Sequence, residues 1–164
     1  MSRRDLRVGI GYDVHRLARG LPLVLGGVGL AHDRGPEAHS DGDVLAHAIG
    51  DALLGAAALG DLGTHFPEHD PRWRGVSSLT LLESIAAMLA GRGASLVNVD
   101  ATVIAETPRL AEHVTAMREA IARSLGVPPA RVSVKATTNE RLGALGREEG
   151  MAALAVALVE VSAE

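Results

Sequence analysis

Apolar residues recur along this chain at two spacings, and the change from one to the other predicts its elements. Residues 7–12 carry an apolar run of strand length. Leu23 to Leu25 and Val28 to Leu30 flank Gly26-Gly27 and predict a hairpin or a bulged turn. Val44, Leu45, Ala48, Ile49, Ala52, Leu53 and Ala56 then follow helical spacing. They predict a helix over 40–59, opened by Ser40 with Asp43 three residues later as in a capping box. Residues 60–76 hold Gly, Pro, His and Asp without periodicity and read as a long loop, a kind usually tied to function. Helices are expected over 78–90 and 110–125, the second closed by Gly126 and Pro128. Strands are expected over 96–105, 131–137 and 151–161. Strands alternating with helices predict a layered α+β or α/β domain. The last strand is apolar on both faces and needs two covers. Helices supply one and a second subunit would supply the other, so an oligomer is expected.

Charge and composition narrow the choice. A length of 164 residues is that of one domain, and 47% apolar content fills a real core. The net charge of −4 argues against a general nucleic-acid binder. Tyr12, Phe66 and Trp73 are the only aromatic residues, too few for a stacking platform. With no Cys, any metal must sit on His, Asp or Glu. The longest apolar run, 151–159, is far too short for a bilayer span. Residues 1–7 are too few for a targeting segment, and a cytoplasmic protein is expected. Lys135 is the one lysine beside 15 arginines; biased composition accounts for that as well as a need for a compact ammonium does.

The candidate chemistry starts with Asp13 and His15. Their spacing of two turns both side chains to one side of a strand. His47 lies inside the helix that follows. Together they would make an Asp-His-His set with one open position, the pattern of a catalytic zinc site. Either Asp43 or Asp51, four residues to each side of His47, would orient its ring. On spacing alone a satisfied core histidine remains open and is the commoner case.

The wording of the sequence goes further. Gly9-Ile10-Gly11-Tyr12-Asp13-Val14-His15, Leu25-Gly26-Gly27-Val28 and Ala38-His39-Ser40-Asp41-Gly42-Asp43-Val44-Leu45-Ala46-His47 stand in order. Asp61-Leu62-Gly63, Phe66-Pro67, Asn98-Val99-Asp100, Lys135-Ala136-Thr137-Thr138-Asn139-Glu140-Arg141-Leu142-Gly143 and Gly146-Arg147 follow them. From about Arg7 to the C-terminus the chain resembles the 2-C-methyl-D-erythritol 2,4-cyclodiphosphate synthase family.

That resemblance implies a reaction and a set of roles. The 2-phosphate of 4-diphosphocytidyl-2-C-methyl-D-erythritol 2-phosphate would attack the β-phosphorus of its own diphosphate and expel CMP. Zn2+ would sit on Asp13, His15 and His47. Glu140 would hold a second divalent cation, Mg2+ or Mn2+. His39 and Thr138 would stabilise the transition state. Ser40 and the stretch Asp61, Leu62, Gly63, Phe66, Pro67, Glu68, His69 and Asp70 would meet the erythritol phosphate. The cytidine end would meet Ala105, Glu106, Thr107, Pro108, Arg109, Leu110 and Ala111, with Lys135, Thr137 and Asn139 beside them. The expected architecture is a single α+β domain over 1–164 with residues 1–6 flexible. It would have a mixed β-sheet, helices packed on one face, and sheets facing each other in a homotrimer with active sites between subunits. Arg147 would lie near the trimer axis, where an isoprenoid diphosphate binds in relatives. Ala144 replaces a frequent aromatic residue and Glu148 a frequent glycine, which bears on substrate packing and on that axial ligand. Neither nucleic acid nor membrane is an expected partner. The residues by themselves also fit a zinc phosphohydrolase or a non-catalytic isoprenoid-diphosphate-binding protein.

Overall fold

The first strand organises the rest. In the computed structural model, which describes residues 4–162, β1 (Arg4–Arg19) is the longest strand. The hairpin β2 (Leu23–Leu25) and β3 (Val28–Leu30) follows it, then β4 (Arg34–Pro36). Next come α1 (Val44–Ala56), α2 (Leu62–His65), a 3₁₀ turn at Pro71–Trp73 and α3 (Ser78–Gly91). β5 (Ala94–Ile104), α4 (Val114–Leu125), β6 (Val132–Thr137), α5 (Gly143–Gly146) and β7 (Gly150–Ser162) complete the chain. The main sheet runs β4-β1-β7-β5-β6. Only β5 and β6 are parallel, so the sheet is mixed and the fold is a single α+β domain.

β1 is longer than residues 7–12 because its ladder, not its hydrophobicity, sets its length. It pairs with β7 from Arg4 to Arg16 and with β4 from Leu17 to Arg19. Arg4, Asp5 and Leu6, expected in a flexible leader, pair in register with Ser162, Val161 and Glu160. Arg4 Nη1 also donates to Glu160 Oε2 at 2.6 Å. Residues 1–3 of that segment lie outside the described residues. The strand at Arg34–Pro36 was masked by its Gly-Pro pair, which reads as a breaker yet occupies a sheet edge.

The first helix begins at Val44, four residues after Ser40. Gly42 has φ +71° and breaks the helical path. Asp43 caps instead: its buried carboxylate accepts N–H groups from Ala46 (3.0 Å), Gly26 (2.9 Å) and Gly27 (2.7 Å). One side chain thus closes the helix and pins the hairpin turn. The loop over 60–76 contains the short α2 and the 3₁₀ turn, capped by Asp61 and Asp70. The helix expected from Leu110 starts at Val114, after a turn anchored by buried Leu110. It ends at Gly126 in the left-handed region, as its sequence predicts.

Helices cover one face of the sheet. α1 packs on β1, β7 and β5, α3 on α1 and β5, and α4 on β6. The contact between α1 and β1 is made of backbone. A Cβ on Gly11 would sit 1.8 Å from Ala48 O, and one on Gly9 would sit 2.0 Å from Ala52 O. Cross-strand from these glycines stand Ala155 and Ala157, also buried. The opposite face is bare and apolar. Leu6, Val8, Ile10, Tyr12 and Val14 alternate outward along β1, with Ile10 72% exposed, and Leu154 and Val156 extend the stripe onto β7. A contiguous apolar face of this kind marks an association surface.

Gly11→Ala should drive the helix off the strand. We expect a loss of about 3 kcal/mol, the upper range for overpacking, or a melting point lower by roughly 6–12 °C. Unchanged thermal unfolding would refute this close approach.

Candidate metal and phosphate site

The two ends of the α1–β1 contact carry the chemistry. Asp13 and His15 project from the helix-covered face of β1, just past the glycines. His47 projects from the first turn of α1, where Asp43 O accepts its backbone N–H at 3.0 Å. Asp13 Oδ2 lies 3.0 Å from both His47 Nδ1 and His15 Nδ1. One candidate ligand atom from each residue falls within 4.8 Å of the others. The imidazole rings are 5.3 Å apart, tilted at 48°. His15 Nδ1 is buried and makes no aligned hydrogen bond despite its closeness to the carboxylate. Two imidazoles and a carboxylate converging with an unsatisfied nitrogen fit a divalent cation. Burial pushes the Asp13 carboxyl up, but the two imidazoles outweigh it and hold the group well below the usual carboxylate range. Burial pulls His47 down, while Asp13, Asp43 and Asp41 raise it above an ordinary imidazole.

A cavity of about 190 Å³ opens beside this cluster. His39, Ser40, Asp51, Leu62, Gly63, Phe66, Glu68 and Trp73 line it with the three cluster residues. His39 Nε2 and Trp73 Nε1 are buried there without hydrogen-bond partners. Phe66 is buried and meets Trp73 edge-on at 5.0 Å, so it is both core anchor and cavity wall. Ser40 does not cap the helix; its Oγ lies 3.2 Å from His47 Nε2 and accepts Gly42 N–H at 3.2 Å.

Several sequence candidates are occupied elsewhere. Asp43 and Asp51 do not touch the His47 ring. Asp43 closes the helix as described, and Asp51 Oδ1 accepts Leu62 N–H at 2.8 Å. Ser40 and Ser78 meet the ring instead, the latter at 2.9 Å. Asp61 is exposed and accepts from Thr64 N (2.8 Å) and Thr64 Oγ1 (2.7 Å). Asp70 pairs with Arg72, which holds its carboxyl down at about 2. His69 is exposed, and neither it nor Pro67 lines the cavity. Lys135 pairs with Asp100 on the sheet's uncovered side.

The remaining candidates gather elsewhere on the chain. Thr138 Oγ1 contacts Glu140 Oε1 at 3.4 Å and accepts Glu140 N–H at 3.2 Å in the turn after β6. Glu106 Oε1 accepts from Asn139 N (2.8 Å) and Arg141 N (3.3 Å), tying the segment 105–111 to that turn. Thr137 ends β6, Ala144 lies in α5, and Arg147 pairs with Glu149 at 2.6 Å. None of these residues lines the cavity. In the strand order β6 is three places from β1, about 14 Å at roughly 4.8 Å per strand. The two groups of candidates therefore stand apart within one chain.

Sequence reasoning missed Asp41, Ser78 and Trp73. Two adjacent serines at 77–78 were the available signal: Ser77 caps α3, which leaves Ser78 free.

Known proteins resemble this chain over nearly its whole length. The model of the YgbB family matches residues 6–160. The 2-C-methyl-D-erythritol 2,4-cyclodiphosphate synthase of Symbiobacterium thermophilum is 60% identical over 152 residues, covering 93% of this chain and 97% of its own. A solved 2C-methyl-D-erythritol-2,4-cyclodiphosphate synthase in a CDP-bound form superposes with a TM-score of 0.86 at 38% identity, covering 93% of this chain and 99% of its own. The CDP complex of IspF from Plasmodium falciparum gives 0.84 at 30% identity, with 99% and 100% covered.

His47→Ala should remove one ligand atom and leave the fold intact. Affinity for zinc or cobalt(II), read by chelator competition, is expected to fall by more than about 100-fold, beyond what losing an outer-shell partner costs. Retained affinity would place the cation elsewhere.

Proposed function

The chain belongs to the YgbB family and is an enzyme, a lyase forming 2-C-methyl-D-erythritol 2,4-cyclodiphosphate in isoprenoid biosynthesis, and we propose how its residues do so. The substrate is 4-diphosphocytidyl-2-C-methyl-D-erythritol 2-phosphate. Its 2-phosphate oxygen attacks the β-phosphorus, the bond to the α-phosphate bridging oxygen breaks, and CMP leaves. The observation that carries this reading is the Asp13, His15 and His47 cluster at the edge of a cavity with an unpartnered imidazole.

Two anionic phosphates must be brought together, so charge screening and alignment dominate the chemistry. Asp13, His15 and His47 would hold Zn2+, which would supply Lewis-acid polarisation and charge neutralisation when bound. His39 offers Nε2 toward a phosphate oxygen, as its buried and unpartnered state supports. Leu62, Gly63, Phe66 and Glu68 enclose the erythritol end and exclude water. Water exclusion favours ring closure over hydrolysis. Thr138 donates to the phosphate that gathers charge, and Glu140 would hold Mg2+ or Mn2+, which would neutralise further phosphate charge. Segment 105–111 receives the cytosine; the CDP bound by two solved relatives supports a cytidine nucleotide as the ligand.

These two groups belong to different copies of the chain. The bare apolar face of β1 and β7 packs against its equivalents in a homotrimer. The metal and erythritol half of one subunit then meets the Thr138, Glu140 and cytidine half of its neighbour. Arg147 sits near the axis, its guanidinium engaged by Glu149.

Phosphorus NMR of the product tests the reaction. Two coupled resonances of a cyclic diphosphate with stoichiometric CMP are expected, and inorganic phosphate instead would establish a hydrolase. Ile10→Asp tests the assembly. Light scattering should report one chain instead of three, with turnover lost, while a monomer of full activity would refute the shared site.

A further inference from the structure

His47 turns its two ring nitrogens to different surroundings, and the cation cluster uses only one. Nδ1 faces Asp13 at 3.0 Å. Nε2 faces Ser78 Oγ at 2.9 Å and Ser40 Oγ at 3.2 Å. Ser78 is buried, and behind it stands Asp41. Asp41 Oδ1 meets the Ser78 hydroxyl in a short contact, and Asp41 Oδ2 accepts Ser78 N–H at 2.9 Å. Asp43 N–H also donates to Asp41 Oδ1, at 3.2 Å. Asp41 is itself held by its own N–H, which donates to Val76 O at 3.1 Å.

Donor counting fixes the hydrogens. An ionised carboxylate only accepts, so the single hydroxyl hydrogen of Ser78 goes to Asp41. The Ser78 oxygen then offers lone pairs alone toward the ring. It is satisfied only by an N–H at Nε2. A neutral imidazole carries one such hydrogen, so Nδ1 is left bare 3.0 Å from Asp13 Oδ2, an arrangement that a cation shared by the two atoms relieves. The opposite tautomer would set the Nε2 lone pair against a Ser78 oxygen with no hydrogen to give at 2.9 Å, leaving it only the longer 3.2 Å contact from the Ser40 hydroxyl.

We propose that Asp41 and Ser78 are positioning residues that select the Nε2–H tautomer of His47 and hold its Nδ1 ready as a metal ligand. Carboxylates commonly orient a ligating histidine directly. Here the carboxylate acts through a serine on another helix, so the start of α3 is coupled to the cation site on α1. Ser77 already caps α3, accepting Leu79 N–H at 3.3 Å, which frees Ser78 for this task.

The inference rests on Asp13, His15 and His47 holding a divalent cation, and its test separates the two. Long-range proton–nitrogen NMR of the histidine-labelled, zinc-loaded protein, in which the cation takes the place of an N–H facing Asp13, reads which ring nitrogen of His47 carries the hydrogen with no substitution. We expect Nε2–H; an Nδ1–H ring overturns the proposal. Zinc affinity by chelator competition should fall about 10–100-fold in both Ser78→Ala and Asp41→Asn. Because the two act in series, the double variant should fall little further than Ser78→Ala alone. Ser78→Thr, which keeps the hydroxyl, should restore the Nε2–H signature. Wild-type affinity in Ser78→Ala, or fully additive losses, would overturn the relay while leaving the metal assignment intact. A wild-type trimer that takes up no zinc would instead sink the metal reading.

Discussion

The structure depends on two backbones coming closer than side chains permit. Gly9 and Gly11 remove the Cβ atoms between β1 and α1, and Ala48 and Ala52 present carbonyls where those atoms would be. The packing is so tight that a single methyl has nowhere to go. The benefit appears one turn further along. His47 on α1 lies 3.0 Å from Asp13 on β1. A leucine at position 11 would hold the helix several ångströms away, and the three ligand atoms would no longer converge.

Much of this was legible in the sequence, and the failures have physical causes. The helical repeat through Val44 to Ala56, the hairpin at Gly26-Gly27 and the cap at Gly126 all stand where local chemistry puts them. The far half of β1 did not, because Asp13, His15, Arg16 and Arg19 interrupt the apolar pattern and its strand state is set by pairing with β7 and β4. The helix start was misplaced because Ser40 and Asp43 both resemble caps. Gly42 and the hairpin amides decide for Asp43 through contacts 17 residues away. Asp13, His15 and His47 were nameable from residue type and spacing, but their convergence required the glycine contact. Asp41 and Ser78 stayed hidden because their partners are far apart in the chain.

The bare sheet face links fold to chemistry. Alternation along β1 sends Gly9, Gly11, Asp13 and His15 to one side and Val8, Ile10, Tyr12 and Val14 to the other. One strand thus carries both the cation ligands and the apolar stripe. In the trimer we propose, burying that stripe also positions each metal half against a neighbour's Thr138 and Glu140. Assembly and catalysis would then share one register. A slip of one residue between β1 and β7 would turn ligands outward and the apolar stripe into the helix layer.

The same economy appears at the start of α1. Three consecutive residues, Asp41, Gly42 and Asp43, serve separate ends within one turn. Asp43 satisfies the helix and the hairpin, Gly42 supplies the left-handed step, and Asp41 reaches Ser78 at the head of α3. A buried carboxylate is costly unless its lone pairs are filled, and here backbone amides fill them. The histidine that follows can then have its two nitrogens assigned without competition: one to the serine relay and one to the cation. Were Asp43 to bond the ring directly, the helix amides and both hairpin amides would lose their acceptor. Routing the orienting charge through Ser78 separates support of the fold from support of the ligand, which lets a single short turn do both.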